Sequence, residues 1–179
     1  MPEALSPVLS KEFPVTKAKS ATTQATRIDI TKAKRKQVSD LLNQLLADCA
    51  DLAMRTKHAH WNVTGAHFIG LHKYFDELYE VIGKHSDEIA ERAAALGGFV
   101  TGRLSDAAKN TRLKEFPVEA REGLQVVCVL ADSVGQFSNA VREAIDQTEE
   151  LEDMVTSDIL NGISGSLDKH LWFLEAHLR

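Results

Sequence analysis

Apolar residues recur at spacings of three and four along most of the chain, which is the pattern of helices that bury one face. The pattern predicts four long amphipathic helices, at about residues 29–60, 66–96, 117–146 and 152–177. No segment alternates between apolar and polar residues as a half-buried strand does, and no segment is repeated. The sequence therefore predicts an all-α protein.

The connections between these helices predict their arrangement. A short turn at residues 62–65 makes the first two helices antiparallel, whereas residues 97–116 form a connector long enough to run the length of a bundle. This connector has room for one or two helical turns around residues 104–109, and Pro117 suits the first turn of the third helix. We expect a four-helix bundle with one long crossover connector.

The composition excludes several classes of protein. The chain has 179 residues, 44% hydrophobic and 26% charged, which is typical of one globular domain with an appendage and not of a disordered chain. No apolar run approaches the roughly 18 residues of a membrane span, and the N-terminus lacks an apolar segment of the signal-peptide type. Cys49 and Cys128 are too few for a disulfide framework and are expected to be reduced thiols. These features predict a cytoplasmic protein.

The net charge of −5 is unevenly distributed. Residues 1–36 carry eight basic and three acidic side chains, a net charge of +5, and residues 37–179 carry 13 basic and 23 acidic side chains, a net charge of −10. Residues 1–27 are rich in Lys, Ser, Thr, Ala and Pro, which predicts a flexible basic arm attached to a domain at 28–179. The acidic body would attract cations and the arm polyanions, although a merely solubilising tail would have the same composition.

Imidazole and carboxylate side chains share one face of the second predicted helix. His72 and Asp76 are four residues apart, as are Asp87 and Glu91, so each pair lies on one face. Eleven residues, or about three turns, separate Asp76 from Asp87, which places both pairs within a stripe about 100° wide. Such side chains are costly to bury unless they are paired or bind a metal ion.

One chain cannot bring both pairs to a single ion, because their centres lie roughly 22 Å apart along the helix axis. A second copy packed antiparallel about a two-fold axis near Val81 and Ile82 would place the first pair of one copy opposite the second pair of the other. Gly83, on the same stripe, would permit close approach. The spacing predicts two equivalent sites per dimer, each built from both subunits.

His60 lies at the end of the first predicted helix, across the short turn from the first pair. It would complete a set of two imidazoles and three carboxylates without a thiolate. This set suits Fe(II), and also Mn²⁺ or Zn²⁺, better than copper or an iron–sulfur cluster. The alternative is that these are ordinary solvated acids and a hydrogen-bonded helix histidine.

A longer motif surrounds these residues. It consists of Lys57-His58-Ala59-His60-Trp61-Asn62-Val63-Thr64-Gly65, Phe68, His72, Asp76, Asp87 and Ala90-Glu91-Arg92. The motif closely resembles the signature of the Dps family, the mini-ferritins named for DNA binding in starved cells. The resemblance covers residues 28–179 and includes Leu171-Trp172-Phe173. It implies a ferritin-like four-helix subunit in a hollow cage of 12 subunits. In such cages Fe(II) is oxidised, preferentially by hydrogen peroxide rather than oxygen, at inter-subunit ferroxidase sites and is stored as ferric mineral.

The resemblance also implies roles for individual residues. His60, His72 and Asp76 match the metal ligands from one subunit. Asp87 and Glu91 match the ligands from its two-fold mate, which is the division that helix geometry predicts.

Four neighbouring aromatic residues leave alternatives open. Trp61 matches the aromatic residue beside the site, as an interceptor of radicals or as a packed cap on the helix end. His58 is expected to be a surface histidine because it lies on a different face from His60. His67 is near enough for a supporting or additional metal-binding role, and His85, which departs from the stripe, is expected to be structural.

An acidic run lies near the junction of the last two helices. Its members, between Arg142 and Lys169, are Glu143, Asp146, Glu149, Glu150, Glu152, Asp153, Asp158 and Asp168, with no basic residue among them. A concentrated negative potential would attract Fe(II). The family has acid-lined pores at its three-fold axes, and the resemblance places Asp158 there, whereas the other acids fit ordinary solvated positions.

The arm resembles that of family members that bind DNA. Lys11, Lys17, Lys19 and Arg27 match the tail pattern of those members. Twelve arms on one cage would grip DNA in a multivalent, salt-sensitive and sequence-independent way, in the cytoplasm and in association with the nucleoid. Against this, the acidic body repels DNA, and the arm could instead fold onto the cage or bind metal.

Two rival functions also fit the sequence. One is a mainly structural, nucleoid-compacting DNA-binding protein with an incidental metal site. The other is a di-metal carboxylate oxidase of another ferritin-like type. The His-x-x-x-Asp and Asp-x-x-x-Glu pairs argue against the second, because bundle-core di-iron proteins carry Glu-x-x-His motifs within one chain.

Overall fold

The computed structural model describes residues 23–179. They form the helices α1 (Lys32–Asn62), α2 (Phe68–Ala95), α3 (Leu104–Asn110), α4 (Gly123–Glu150) and α5 (Met154–Ala176). The predictions of an all-α protein and of a four-helix bundle are confirmed, with α3 as a short helix inside the long crossover connector. In the described part of the chain no helix is apolar enough over a sufficient length to cross a membrane.

The bundle consists of two helical hairpins that close on one core. α1 packs along α2, and α4 packs along α5. The largest side chains of the core, Phe75 from α2 and Phe137 from α4, are fully buried. Each buried side chain of this size stabilises the fold by about 1.5–3 kcal/mol, so apolar burial holds the hairpins together.

α4 begins six residues later than the sequence predicts. Pro117 lies in a turn that is closed by a hydrogen bond from the Ala120 N–H to the Pro117 carbonyl, at 3.0 Å. Glu122 is the N-cap of α4, and its carboxylate accepts from the Gln125 N–H at 3.1 Å. The prediction that Pro117 starts this helix was wrong because the helix begins at Gly123, directly after this cap.

Two buried aspartates attach loops to the bundle. Asp48 on α1 accepts three hydrogen bonds from Arg112, which hold the connector against the helix. Asp153, the N-cap of α5, accepts from the Thr156 N–H at 3.1 Å and from Arg92 on α2 at 2.7 Å. Each buried carboxylate is therefore both charge-paired and hydrogen-bonded.

The segment before α1 is fastened to the end of α2. The Gln24 N–H donates to the Gly97 carbonyl at 2.7 Å, and Arg35 donates to the carbonyls of Gln24 and Leu96 at 2.9 and 2.7 Å. Gly97 has a φ of +80°, and a Cβ there would lie 2.6 Å from the Gln24 carbonyl oxygen. Residues before the predicted boundary at 28 are thus already bound to the helical body, and the extent of the arm stays a prediction.

Candidate metal centre at the start of α2

His60 and His72 face each other where α1 ends and α2 begins. Their rings stack with centroids 3.8 Å apart and planes 21° apart. Nδ1 of His60 donates to the His72 carbonyl at 2.7 Å, and Nδ1 of His72 donates to the His60 carbonyl at 2.8 Å. Because a carbonyl only accepts, both Nδ1 atoms carry the proton, which leaves Nε2 as the atom of each ring that can bind a metal ion. This is how metal-binding histidines are commonly oriented.

The turn between α1 and α2 brings the rings of His60 and His72 into contact. The Val63 N–H donates to the Ala59 carbonyl and ends α1. Gly65 then takes a φ of +105°, which favours glycine, and its carbonyl accepts from the Phe68 N–H at 3.1 Å. The chain therefore reverses within a few residues and sets the last turn of α1 against the second turn of α2.

Asp76 lies one turn beyond His72 and binds a lysine. Lys57, on α1, donates to the Asp76 carboxylate, and its ammonium lies 4.8 Å from the centroid of the Tyr79 ring. This hydrogen bond lowers the pKa of Asp76 below its ordinary value, and the nearby charges of Lys57, His60 and His72 add to the effect. A metal ion that uses Asp76 must displace this ammonium. The contact of Lys57 with Asp76 was not predicted from the sequence, although Lys57 lies three residues before His60 and thus on the same face of α1.

Asp87 and Glu91 are exposed on α2, on the face away from the core. Neither makes a side-chain hydrogen bond or an ion pair with another residue of the range 23–179. Within that range, no three histidine, cysteine or acidic side chains come close enough together to hold a metal ion. The structure therefore brings His60 and His72 together, keeps Asp76 paired with a lysine, and leaves the other two predicted ligands on a separate stretch of α2.

Two aromatic side chains border the histidines. Trp61 is 62% exposed, so in the single chain it does not cap the helix by packing. The ring of Phe68 lies 5.2 Å from that of His72 and is 43% exposed. The edge of the candidate centre is thus an exposed apolar surface.

The remaining histidines differ in their surroundings. The prediction that His58 is a surface histidine was wrong, because Phe116 of the connector covers it edge-on at 5.7 Å and its buried Nε2 has no hydrogen-bond partner. His67 is exposed at the start of α2. His85 is buried and contacts Glu88 at 3.0 Å and Ser166 at 2.9 Å, which fits a structural histidine.

Part of the negative charge of the acidic run is neutralised by basic side chains. Three of its members are held in ion pairs, Glu152 by Lys34, Asp153 by Arg92 and Asp168 by Arg142. These pairs weaken the concentrated negative potential that the sequence predicts.

Asp158 belongs to the free part of the run and is exposed on α5. It lines a cavity of about 570 Å³ between α2 and α5, together with Glu91, Glu88 and His85. Asp158, the candidate residue for iron uptake, and Glu91, a candidate metal ligand, therefore line the same cavity.

Of the predicted DNA-binding residues, only Arg27 lies within the described range, where it is exposed. Lys11, Lys17 and Lys19 lie outside it.

A family model described as a ferritin-like domain matches residues 39–179, so the fold is that of the ferritin-like proteins. A DNA protection during starvation protein from Agrobacterium fabrum is 38% identical over 157 residues, which cover 88% of this chain and 97% of the relative. A Mycolicibacterium smegmatis protein with the same name is 34% identical over 151 residues, which cover 83% and 81% of the two chains.

Solved structures agree with these relatives. The Mycobacterium smegmatis Dps in its tetragonal crystal form matches with a TM-score of 0.83 and 33% identity, over 88% of this chain and 94% of that chain. The Vibrio cholerae Dps, described as a member of a broad superfamily of ferritin-like diiron-carboxylate proteins, matches with a TM-score of 0.81 and 26% identity, over 90% of this chain and 100% of that chain. The chain belongs to the Dps family of ferritin-like proteins, which confirms the resemblance noted from the sequence.

Proposed function

We propose that the protein is a ferroxidase and iron store, which oxidises Fe(II), preferably with hydrogen peroxide, and keeps the ferric product inside a cage of 12 subunits. Membership of the Dps family implies ferritin-like handling of iron. The observation that carries the more specific proposal is the reciprocal hydrogen bonding of His60 and His72, which leaves two imidazole nitrogens available to a metal ion.

The proposed donor set fits iron. It combines the two Nε2 atoms with the carboxylates of Asp76, Asp87 and Glu91, and borderline nitrogen with hard oxygen donors suits Fe(II), while Mn²⁺ or Zn²⁺ can occupy the same site. A second copy, antiparallel about a two-fold axis, supplies the last two carboxylates. The exposure of Asp87 and Glu91 supports this, because both are accessible to another subunit.

Iron is the substrate of this site as well as the stored cargo. Anionic oxygen donors stabilise Fe(III) more than Fe(II) and so favour the loss of an electron. Two ferrous ions each give one electron to one hydrogen peroxide molecule, whose O–O bond breaks to give two hydroxide ions. Because both electrons go to one peroxide molecule, little hydroxyl radical is released, and DNA is protected from oxidative damage. Oxygen is the alternative oxidant.

Trp61 is proposed to intercept the radicals that escape this reaction. It directly follows His60 in the chain, and its indole is 62% exposed. We assign it an auxiliary role as a sacrificial electron donor beside the metal site.

Asp158 is proposed to line the pore through which Fe(II) passes inward. It is exposed, and it shares the cavity between α2 and α5 with Glu91, so an ion attracted there meets a metal ligand.

DNA binding through the arm is a second proposed function. The observation that favours it is the net charge of +5 over residues 1–36, together with the name of the Agrobacterium relative, a DNA protection protein. Lys11, Lys17, Lys19 and Arg27 would contact phosphates without reading sequence. If this activity dominated, the protein would be a nucleoid-compacting protein with an incidental metal site. We place either activity in the cytoplasm.

The decisive experiment for the ferroxidase is oxidation of Fe(II), supplied anaerobically and followed by peroxide, monitored by ferric absorbance. The double variant His72→Ala with Asp87→Ala is expected to oxidise Fe(II) much more slowly than the parent. His177→Ala, which changes an exposed histidine near the C-terminus, is the matched control. Unchanged kinetics in the double variant would refute the site.

A further inference from the structure

The outer face of α2, on the side away from the core, is unusually charged. Its members are Lys73, Asp76, Glu80, Lys84, Asp87 and Glu91, of which all but Asp76 are exposed. Apart from Asp76, which binds Lys57, none of them makes an ion pair with another residue between 23 and 179. Glu80 and Lys84 are four residues apart, a spacing that often gives an ion pair within a helix, yet they do not pair here.

The register that the metal site requires determines what these charges meet. The inference rests on the proposed function, because it takes the antiparallel arrangement in which position 72 of one copy lies opposite position 91 of the other, and 76 opposite 87. In that register position 80 lies opposite position 83. Glu80 of one copy then lies within about 1.5 Å, along the axis, of Lys84 of the other, and about 40° from it around the helix. The same pair forms twice, once on each side of the two-fold axis.

A second opposite-charge contact flanks the first. Lys73 and Glu91 are 18 residues, or about five turns, apart, so they point in the same direction from α2. Across the axis Lys73 of one copy therefore lies beside Glu91 of the other. Asp76 and Asp87 are the exception, because they bring two carboxylates together at the point where the metal ion is proposed to bind.

Other features of the face also fit a second copy. A Cβ added at Gly83, next to the two-fold axis, would meet nothing within 4 Å in this chain, which leaves room for another backbone. A slip that sets Glu80 opposite Asp87 would replace attraction by repulsion between carboxylates.

We propose that two Glu80–Lys84 pairs, formed between the outer faces of α2 in two neighbouring copies, fix the register that completes the metal centre. The occupant is a second copy because the face is complementary to itself under the two-fold operation. The like charges that meet in this register, Asp76 and Asp87, are both proposed metal ligands. The same register therefore accounts for the Glu80–Lys84 pairs and for the metal site.

The test uses two charge reversals on the full-length protein, Lys84→Glu and Glu80→Lys. Each variant alone sets like charges against each other at both pairs of every two-fold contact, and its assembly is expected to dissociate at least about tenfold more readily than that of the parent. When the separately purified variants are mixed, both pairs become attractive again between unlike chains. With one variant labelled with ¹⁵N, native mass spectrometry of the reassembled mixture should show that two-fold pairs contain one chain of each kind, so that assemblies with equal numbers of the two chains greatly exceed a random distribution. Lys109→Glu, the same charge change at an exposed position of α3, is the control and should pair randomly with the parent.

Mixing separates this inference from a pair within one helix. Each variant chain keeps two like charges four residues apart, so mixing cannot restore an intrahelical pair. Wild-type assembly of both single variants, or a statistical distribution of dimers after mixing, would overturn the proposal. Selective pairing of the unlike chains would support it even if the parent failed to oxidise Fe(II), and that failure would count only against the ferroxidase.

Discussion

Replacing Lys57 by Met is expected to tighten the binding of a divalent metal ion at the candidate centre. In the structure the Lys57 ammonium holds the Asp76 carboxylate and keeps the pKa of Asp76 low. A metal ion bound by Asp76 must first displace that ammonium, so the pair opposes binding. Methionine has a similar length and keeps an apolar stem near Tyr79, but it cannot compete for the carboxylate.

The size of the effect follows from how exposed the pair is. The side chains of Lys57 and Asp76 are 23% and 45% exposed, so water and salt screen their attraction. Pairs of this kind contribute little, and the dissociation constant is expected to fall by about two- to fivefold at low salt. The gain should diminish as the salt concentration rises, because the competing interaction is itself ionic.

An anaerobic titration with Co²⁺, followed by the visible absorbance of the bound ion, measures this directly on the assembled protein. Lys36→Met is a suitable control because Lys36 pairs with Asp40 near the exposed start of α1. Equal or weaker Co²⁺ binding by Lys57→Met would show that the ammonium does not compete with the metal ion.

Three further outcomes are expected. Arg92→Met should lower the free energy of unfolding by about 2–4 kcal/mol, because it leaves the buried Asp153 without its cation. Arg142→Met, which breaks an exposed pair, should lower it by less than about 1 kcal/mol. Equal losses of stability in thermal melts at one protein concentration would contradict this. Trp61→Phe should raise spin-trapped hydroxyl radical per iron oxidised, and an unchanged yield would remove its proposed role. Deleting residues 1–20, which spares the hydrogen bonds of Gln24, should abolish the gel shift of DNA at moderate salt, and retained binding would exclude the arm.

The apolar periodicity predicted the helices well because it is a local property. α1, α2 and α5 begin and end within three residues of the predicted positions. The start of α4 was misplaced because several positions near Pro117 could begin a helix. The cap at Glu122 and the turn at Pro117 depend on hydrogen bonds that periodicity does not report.

For the candidate site, the sequence predicted the residues but not their contacts. The spacing placed His60 near His72, and the structure adds that each ring is oriented by the carbonyl of the other. The contact of Lys57 with Asp76 and the burial of His58 beneath Phe116 were not predicted, because Asp76 and Phe116 come from other elements of the fold. The spacing of residues along the chain does not determine contacts between residues that are distant in sequence.

Lys57 also explains how the proposed dimer could tolerate the absence of iron. In the register inferred for α2, Asp76 of one copy faces Asp87 of the other, and two carboxylates in contact without a cation repel each other. The ammonium of Lys57 already lies against Asp76 in the single chain, so it supplies a positive charge at that contact before iron arrives. Iron bound at the proposed site would replace one cation by another of higher charge. The same residue would therefore stabilise the metal-free interface and weaken metal binding, since both effects depend on its charge beside Asp76.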